Sequence, residues 1–183
     1  MKKTISDKVE IKIREDLSPA KNLTGIHLKI VASIAIIWSL FQLWYASPFP
    51  FMFNIGMFKG LPARAIHLGF ALTLVFLIYP ISKGKKISIF DIFISIIGAF
   101  SCLYIYFFYD QLVDRGGVLL SVTLGKNLNL PVELIIGSCG ILILLEATRR
   151  AIGLPLVLIA ICFLLFSYFG RYAPEIISHG GLS

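Results

Sequence analysis

The stretch Leu144–Leu156, LLEATRRAIGLPL, decides how this chain reads. It sets one acid, two adjacent arginines, a glycine and a proline between two long apolar runs. No charge occurs from Ala151 to Gly170, and none between Glu133 and Glu146. Flanks that apolar do not belong to a surface turn of a soluble domain. They read as two membrane-spanning helices, and the arginines mark the hairpin turn at one membrane face.

The rest of the chain agrees. Of its 183 residues 57% are hydrophobic and 15% charged, and the mean hydropathy is +0.87. Soluble domains carry about 25% charged residues. Here the apolar residues come in blocks, and about 20 such residues cross a hydrocarbon core as a helix. The expected fold is an all-α integral membrane protein, a bundle of four to five transmembrane helices. Residues 1–24 form a charged tail, and 25–183 form the membrane domain. The spans fall at about 25–46, 61–82, 88–109, 128–148 and 153–170. Ser47, Pro48 and Pro50 end the first span. The segment 51–60, broken by Asn54, Gly56 and Gly60, reads as an interfacial or re-entrant piece. The first apolar run is too long for a cleaved signal and is expected to stay as an anchor.

Charge then sets orientation. The tail up to Lys29, the Lys83/Lys85/Lys86 turn and the Arg149/Arg150 turn hold twelve of the seventeen Lys and Arg. Lys59, Arg64, Arg115, Lys126 and Arg171 are the other five. Alternation puts the rich set on one side, so the N-terminus is expected to be cytoplasmic and the C-terminus outside. Trp44/Tyr45, Tyr104 to Tyr109 and Tyr168/Phe169/Tyr172 fall at the outer ends. The net charge of +7 thus reflects membrane orientation, and no nucleic-acid partner is expected.

Ionisable groups inside spans are costly and invite a functional reading. Arg64 and His67 share a helix face at the outer end of the second span. Asp91 lies near the inner end of the third, within reach of the interface or of the lysine turn. Glu133 sits near the outer end of the fourth, at the depth of Arg64, and an Arg64–Glu133 pair across helices would satisfy both. Glu146 is spaced to pair locally with Arg149 and Arg150. Asp114 and Arg115 are possible rim contacts in the outer loop 110–126. None of these groups falls at the bilayer midplane, where carriers hold substrate.

Small residues, Ser95, Gly98, Ala99, Ser101 and Cys102 in the third span and Gly137, Ser138 and Gly140 in the fourth, argue for close helix packing. Cys102, Cys139 and Cys162 all fall in apolar runs and read as buried thiols. No HExxH, GxSxG or Walker A pattern is present, so no enzyme activity, catalytic residue, metal or cofactor is expected in this chain.

The blocks RAIHLGFALTLVFLIYP (64–80), YDQLVDRGG (109–117), LLEATRRAIGLPL (144–156) and FGRYAPEIISHGG (169–181) resemble the N-terminal region of tripartite ATP-independent periplasmic (TRAP) transporter permeases, in the TAXI-associated branch. The resemblance covers about two thirds of the chain, and LLEATRR with its glycine–proline turn is its most specific part. It implies a small scaffold-type subunit in a bacterial inner membrane. It also implies a partner, a large permease subunit of about a dozen spans that holds sodium ions and substrate. An extracytoplasmic binding protein would deliver organic acids or amino acids. Small subunits of this kind are typically four-span, whereas five spans are read here, so the fifth belongs either to the scaffold or to the front of a fused permease. Two rivals stay open: a self-sufficient homo-oligomeric carrier and a membrane-embedded enzyme.

Overall fold

Each break in the apolar pattern ends a helix. In the computed structural model, which describes residues 25–81, 88–116, 118–124, 128–172, 174, 177 and 178, helix α1 spans Ile26–Ala46. Ser47 closes it: its hydroxyl donates to the Trp44 carbonyl at 2.8 Å and accepts from the Phe49 amide at 3.3 Å. Prolines 48 and 50 then leave room only for the five-residue helix α2, Phe49–Phe53. It is about 8 Å long, far too short to re-enter a bilayer, and residues 51–57 are exposed.

Helix α3 is Gly60–Ile78 and α4 is Ile89–Asp114. The Ser88 hydroxyl caps α4 by accepting from the Phe90 amide. A two-stranded antiparallel hairpin follows, β1 Val122–Leu124 with β2 Leu128–Leu130, register Val122↔Leu130. Helix α5 is Val132–Ala151 and α6 is Leu154–Phe169, with a 3-10 turn at Gly170–Tyr172. The α5–α6 turn is made by Gly153 at φ +112°, a backbone state that side chains disfavour, with Pro155 starting the next helix.

The order of contacts makes the bundle antiparallel throughout. Val31 packs with Leu74 and Leu77, and Trp38 meets His67. Gly69 lies beside Cys102 and Gly98 beside Leu72. Gly140 lies beside Ser101, and Asp91 meets Arg150. One end of the bundle therefore carries the start of α1, the end of α3, the start of α4 and the α5–α6 turn. The other carries α2, the β-hairpin and the end of α6. These are the two loop sets that the charge count separates.

Helix α3 is central and packs on α1, α4 and α5. Leu72, Phe76, Cys102 and Ala147 form the core it shares with α4 and α5. Among lipid tails, helices gain from close packing rather than from hydrophobic burial. The small face of α4 supplies that closeness, since Ser95, Gly98, Ser101 and Cys102 are all buried. A Cβ at Gly98 would lie 3.0 Å from Ile143 Cγ2 and 3.3 Å from Leu72 Cδ1. Gly98→Leu is therefore expected to wedge α3, α4 and α5 apart and destabilise the bundle by about 1–3 kcal/mol. Unfolding in mixed SDS–detergent micelles checks this, and an unchanged midpoint would contradict the packing. Gly137 and Ser138, by contrast, are exposed and no Cβ at Gly137 would touch anything, so two of the three small residues expected to pack on α5 point away from the bundle.

Among the described residues four helices are long and apolar enough to cross a membrane: α1, α3, α4 and α6 with its 3-10 turn. The protein is thus a multi-pass helical membrane bundle. Helix α5 differs because Glu133, Glu146, Arg149 and Arg150 lie near its ends. Residues 128–130, expected to open this span, form β2, and Pro131 starts the helix instead. Helix α4 runs five residues past the expected end at 109, so 110–114 are helical rather than loop. The tail 1–24 and the lysine turn at 83–86 lie outside the described residues.

Candidate functional site

The charges of α5 gather two polar clusters, one at each end of the bundle. The first is built on Asp91, in the first turn of α4, where a carboxylate suits the helix dipole. Asp91 is fully buried. Its Oδ1 accepts from Arg150 Nη1 at 2.6 Å, and both its oxygens lie 3.3 Å from the Ile81 amide. Arg150, in the last turn of α5, also donates from Nη1 to the Tyr79 carbonyl at 3.3 Å and from Nε to Glu146 at 2.7 Å. Its guanidinium sits 4.9 Å from the centroid of the Phe76 ring. Glu146 is shared, because Arg149 grips it through Nε at 2.7 Å and Nη2 at 2.8 Å. Two acids and two arginines balance, and the cluster ties the ends of α3, α4 and α5 together.

The local pairing of Glu146 with both arginines matches its spacing. Asp91 is different. It sits in the first turn of α4, near the bundle end as expected, but is fully buried and pairs with Arg150, 59 residues away; the lysine turn that it was expected to meet lies outside the described residues. The cause is register: the antiparallel packing of α4 on α5 brings the first turn of one to the last turn of the other.

The second cluster centres on Glu133, in the first turn of α5, with its side chain 3% exposed. Oε1 accepts from Arg115 Nη2 at 2.5 Å and from the Tyr104 hydroxyl at 3.0 Å, and Oε2 accepts from the Leu120 amide at 2.7 Å. Arg115 Nε adds a bond to the Gln111 carbonyl at 3.0 Å. The expected Arg64–Glu133 pair does not form. Arg115, just past the end of α4, is already beside the start of α5, whereas Arg64 is exposed on α3. Arg115 is therefore turned inward rather than offered at a rim, and only Asp114 is exposed there. Nearby, Lys59 and Asp110 form an exposed ion pair, and the Asp110 hydrogen bond holds the Lys59 ammonium above its ordinary value.

His67 is exposed and shares its Nδ1 with Trp38 Nε1 at 3.3 Å and Gln42 Nε2 at 2.6 Å. Tyr104, Phe76, Trp38 and Gln42 were not singled out as partners of charge. Aromatic positions near span ends read as interface anchors, and nothing in their spacing shows which ring turns inward. Of the three thiols only Cys102 is buried; Cys139 is half-buried and Cys162 exposed on α6. The periodicity of α6 cannot reveal this, because the helix is apolar all round.

Among the described residues no three His, Cys, Asp or Glu side chains are grouped to hold a metal. Two apolar depressions run along α6, one lined by Leu158, Ile159, Cys162, Phe163 and Phe166, the other shared with Ile141, Leu144 and Leu145 of α5. Neither is lined by a charged residue. The carboxylates in the two clusters are held by fixed donors, so the arrangement is suited to clamping helices rather than to passing protons or binding an ion. Comparison with protein-family models, curated proteins and solved structures gives no match for this chain.

Proposed function

We propose that the chain is the small scaffold-type membrane subunit of a TRAP importer of the TAXI type, in a bacterial inner membrane. It would brace a large permease subunit that carries the sodium and substrate sites. An extracytoplasmic binding protein would deliver an organic acid or amino acid. In this reading α5 is a fifth crossing, its charges neutralised at the two membrane faces, and the N-terminus is cytoplasmic.

The observation that supports a scaffold best is where the polar groups go. Asp91 with Arg150 and Glu133 with Arg115 clamp different elements at the two bundle ends, and Glu146 is held by Arg149 and Arg150 within α5. The depressions along α6 are apolar. A carrier acting alone needs a polar site near the midplane, and an embedded enzyme needs a reactive group with room beside it. Among the described residues helix α6 packs chiefly on α5 and buries only Val157, which leaves most of its surface for lipid or a partner.

Co-expression with a large TRAP permease subunit and a tagged copy of this chain tests the proposal. A stable one-to-one complex is expected, with uptake requiring both chains. Solute transport by this chain alone in liposomes would overturn the reading in favour of a self-sufficient carrier. Failure to form the complex would overturn it as well.

A further inference from the structure

The contact between α1 and α3 leaves two hydrogen-bond donors facing outward. An indole N–H can only donate, so the bond from Trp38 makes His67 Nδ1 an acceptor. The ring proton then sits on Nε2. Gln42 reaches the same Nδ1 through its amide nitrogen, which also donates. The Nε2–H is left without an acceptor among the described residues. Arg64 lies one turn earlier on the same face of α3, exposed and without an ion-pair partner among the described residues. Asp91 and Glu146 are matched with Arg150, and Glu133 with Arg115, whereas Lys29, at the opposite end of the bundle on α1, is like Arg64 exposed and without an ion-pair partner among the described residues.

Depth limits what can match this pair. At 1.5 Å per residue, Arg64 lies about 6 Å and His67 about 10 Å in from Gly60, and α3 is about 28 Å long, close to the hydrocarbon thickness. With Gly60 taken at the hydrocarbon edge, a headgroup phosphate lies beyond the helix end. The long Arg64 side chain could snorkel to it, but the short imidazole could not. An acceptor at the depth of His67 has to come from another helix in the membrane.

We infer that the Arg64–His67 face of α3, with Gln42 of α1 beside it, is the docking seam for a membrane helix of a partner chain that presents a carboxylate about two turns in from the outer face. In the scaffold reading on which this rests, that partner is the large permease subunit. The carboxylate accepts from the guanidinium and from Nε2–H together, and this sets the register of the two chains. Unmatched donors in hydrocarbon are costly, so the seam also selects against helices without an acceptor there.

The test measures affinity between this chain and the large permease subunit in nanodiscs of neutral lipid. Arg64→Glu is expected to weaken the complex by about thirtyfold or more. His67→Leu is expected to weaken it less, and Arg64→Glu is expected to be rescued by arginine in place of one membrane-embedded carboxylate of the permease. Arg64 is exposed and has no ion-pair partner among the described residues, so the SDS unfolding midpoint of the Arg64→Glu chain alone should not move, whereas His67→Leu also removes the bonds from Trp38 and Gln42 and is expected to lower it. If the wild-type complex forms and neither variant weakens it, the seam is elsewhere and this inference fails while the scaffold reading stands. If the wild-type chain does not bind, the scaffold reading itself fails. A defect seen only with phosphatidylglycerol would assign the face to lipid, and altered self-association of the chain alone would assign it to a second copy. Either result overturns the inference.

Discussion

Asp91→Ala is expected to cost the bundle about 3–5 kcal/mol of unfolding free energy, the range for breaking one partner of a buried ion pair. Asp91 is fully buried, and its carboxylate accepts from Arg150 and from the Ile81 amide. Its removal leaves the Ile81 amide without this acceptor and Arg150 with only Glu146 and the Tyr79 carbonyl. Arg150 already has one buried nitrogen, Nη2, without a partner, so it has little capacity to absorb another loss. The double change Asp91→Leu with Arg150→Leu removes both charges together and is expected to recover much of that loss, because desolvation of the pair offsets most of its attraction. Glu146 keeps Arg149 in that variant. Unfolding in mixed micelles measures all three. A single change that costs as little as the double one would show that Asp91 and Arg150 are not coupled.

Glu133→Leu should have its largest effect on the loop between α4 and α5. One carboxylate holds Arg115, the Tyr104 hydroxyl and the Leu120 amide. It thereby fixes the stretch 118–121 to the start of α5, although Val118, Leu119 and Leu120 are exposed. Without it the arginine is left unpaired and the loop loses its anchor. Proteolysis follows the population of the opened form. Cleavage within 115–121 is therefore expected to rise about tenfold or more, while α1 and α3 keep their protection. Glu133→Gln, which keeps one acceptor oxygen where the carboxylate has two, should fall between. Equal cleavage of wild type and Glu133→Leu would mean that Glu133 does not hold the loop.

The contrast between Glu146 and Glu133 shows what could be read before any fold was known. Glu146, Arg149 and Arg150 lie within one turn of helix, so their pairing follows from spacing alone. For Glu133, depth pointed to Arg64, while Arg115 was placed in the outer loop. Choosing between them needs the rotation of α3 about its axis, and an almost wholly apolar helix carries no amphipathic stripe to set that rotation. The same gap hid the Asp91–Arg150 pair. Helix positions were legible because apolar blocks and prolines are local signals. Ends were less so: α4 outruns its apolar block because its last turn is held by Lys59–Asp110 and Arg115–Glu133, contacts from distant sequence. The hairpin at 122–130 was missed because Leu128 and Leu130 belong equally well to an apolar span. Orientation rests on charge counts in loops, and most of those lysines lie outside the described residues.

The central claim is that α5 crosses the membrane although its ends carry four charges. Two exposed positions bracket it, Val118 before and Ile152 after. In a background with Cys102, Cys139 and Cys162 replaced, single cysteines at these sites can be challenged in intact cells with a membrane-impermeant maleimide. The account predicts that Val118→Cys reacts from outside, whereas Ile152→Cys reacts only after the membrane is permeabilised. Labelling of both from the same side would contradict it, because α5 would then not cross and the bundle would have four spans.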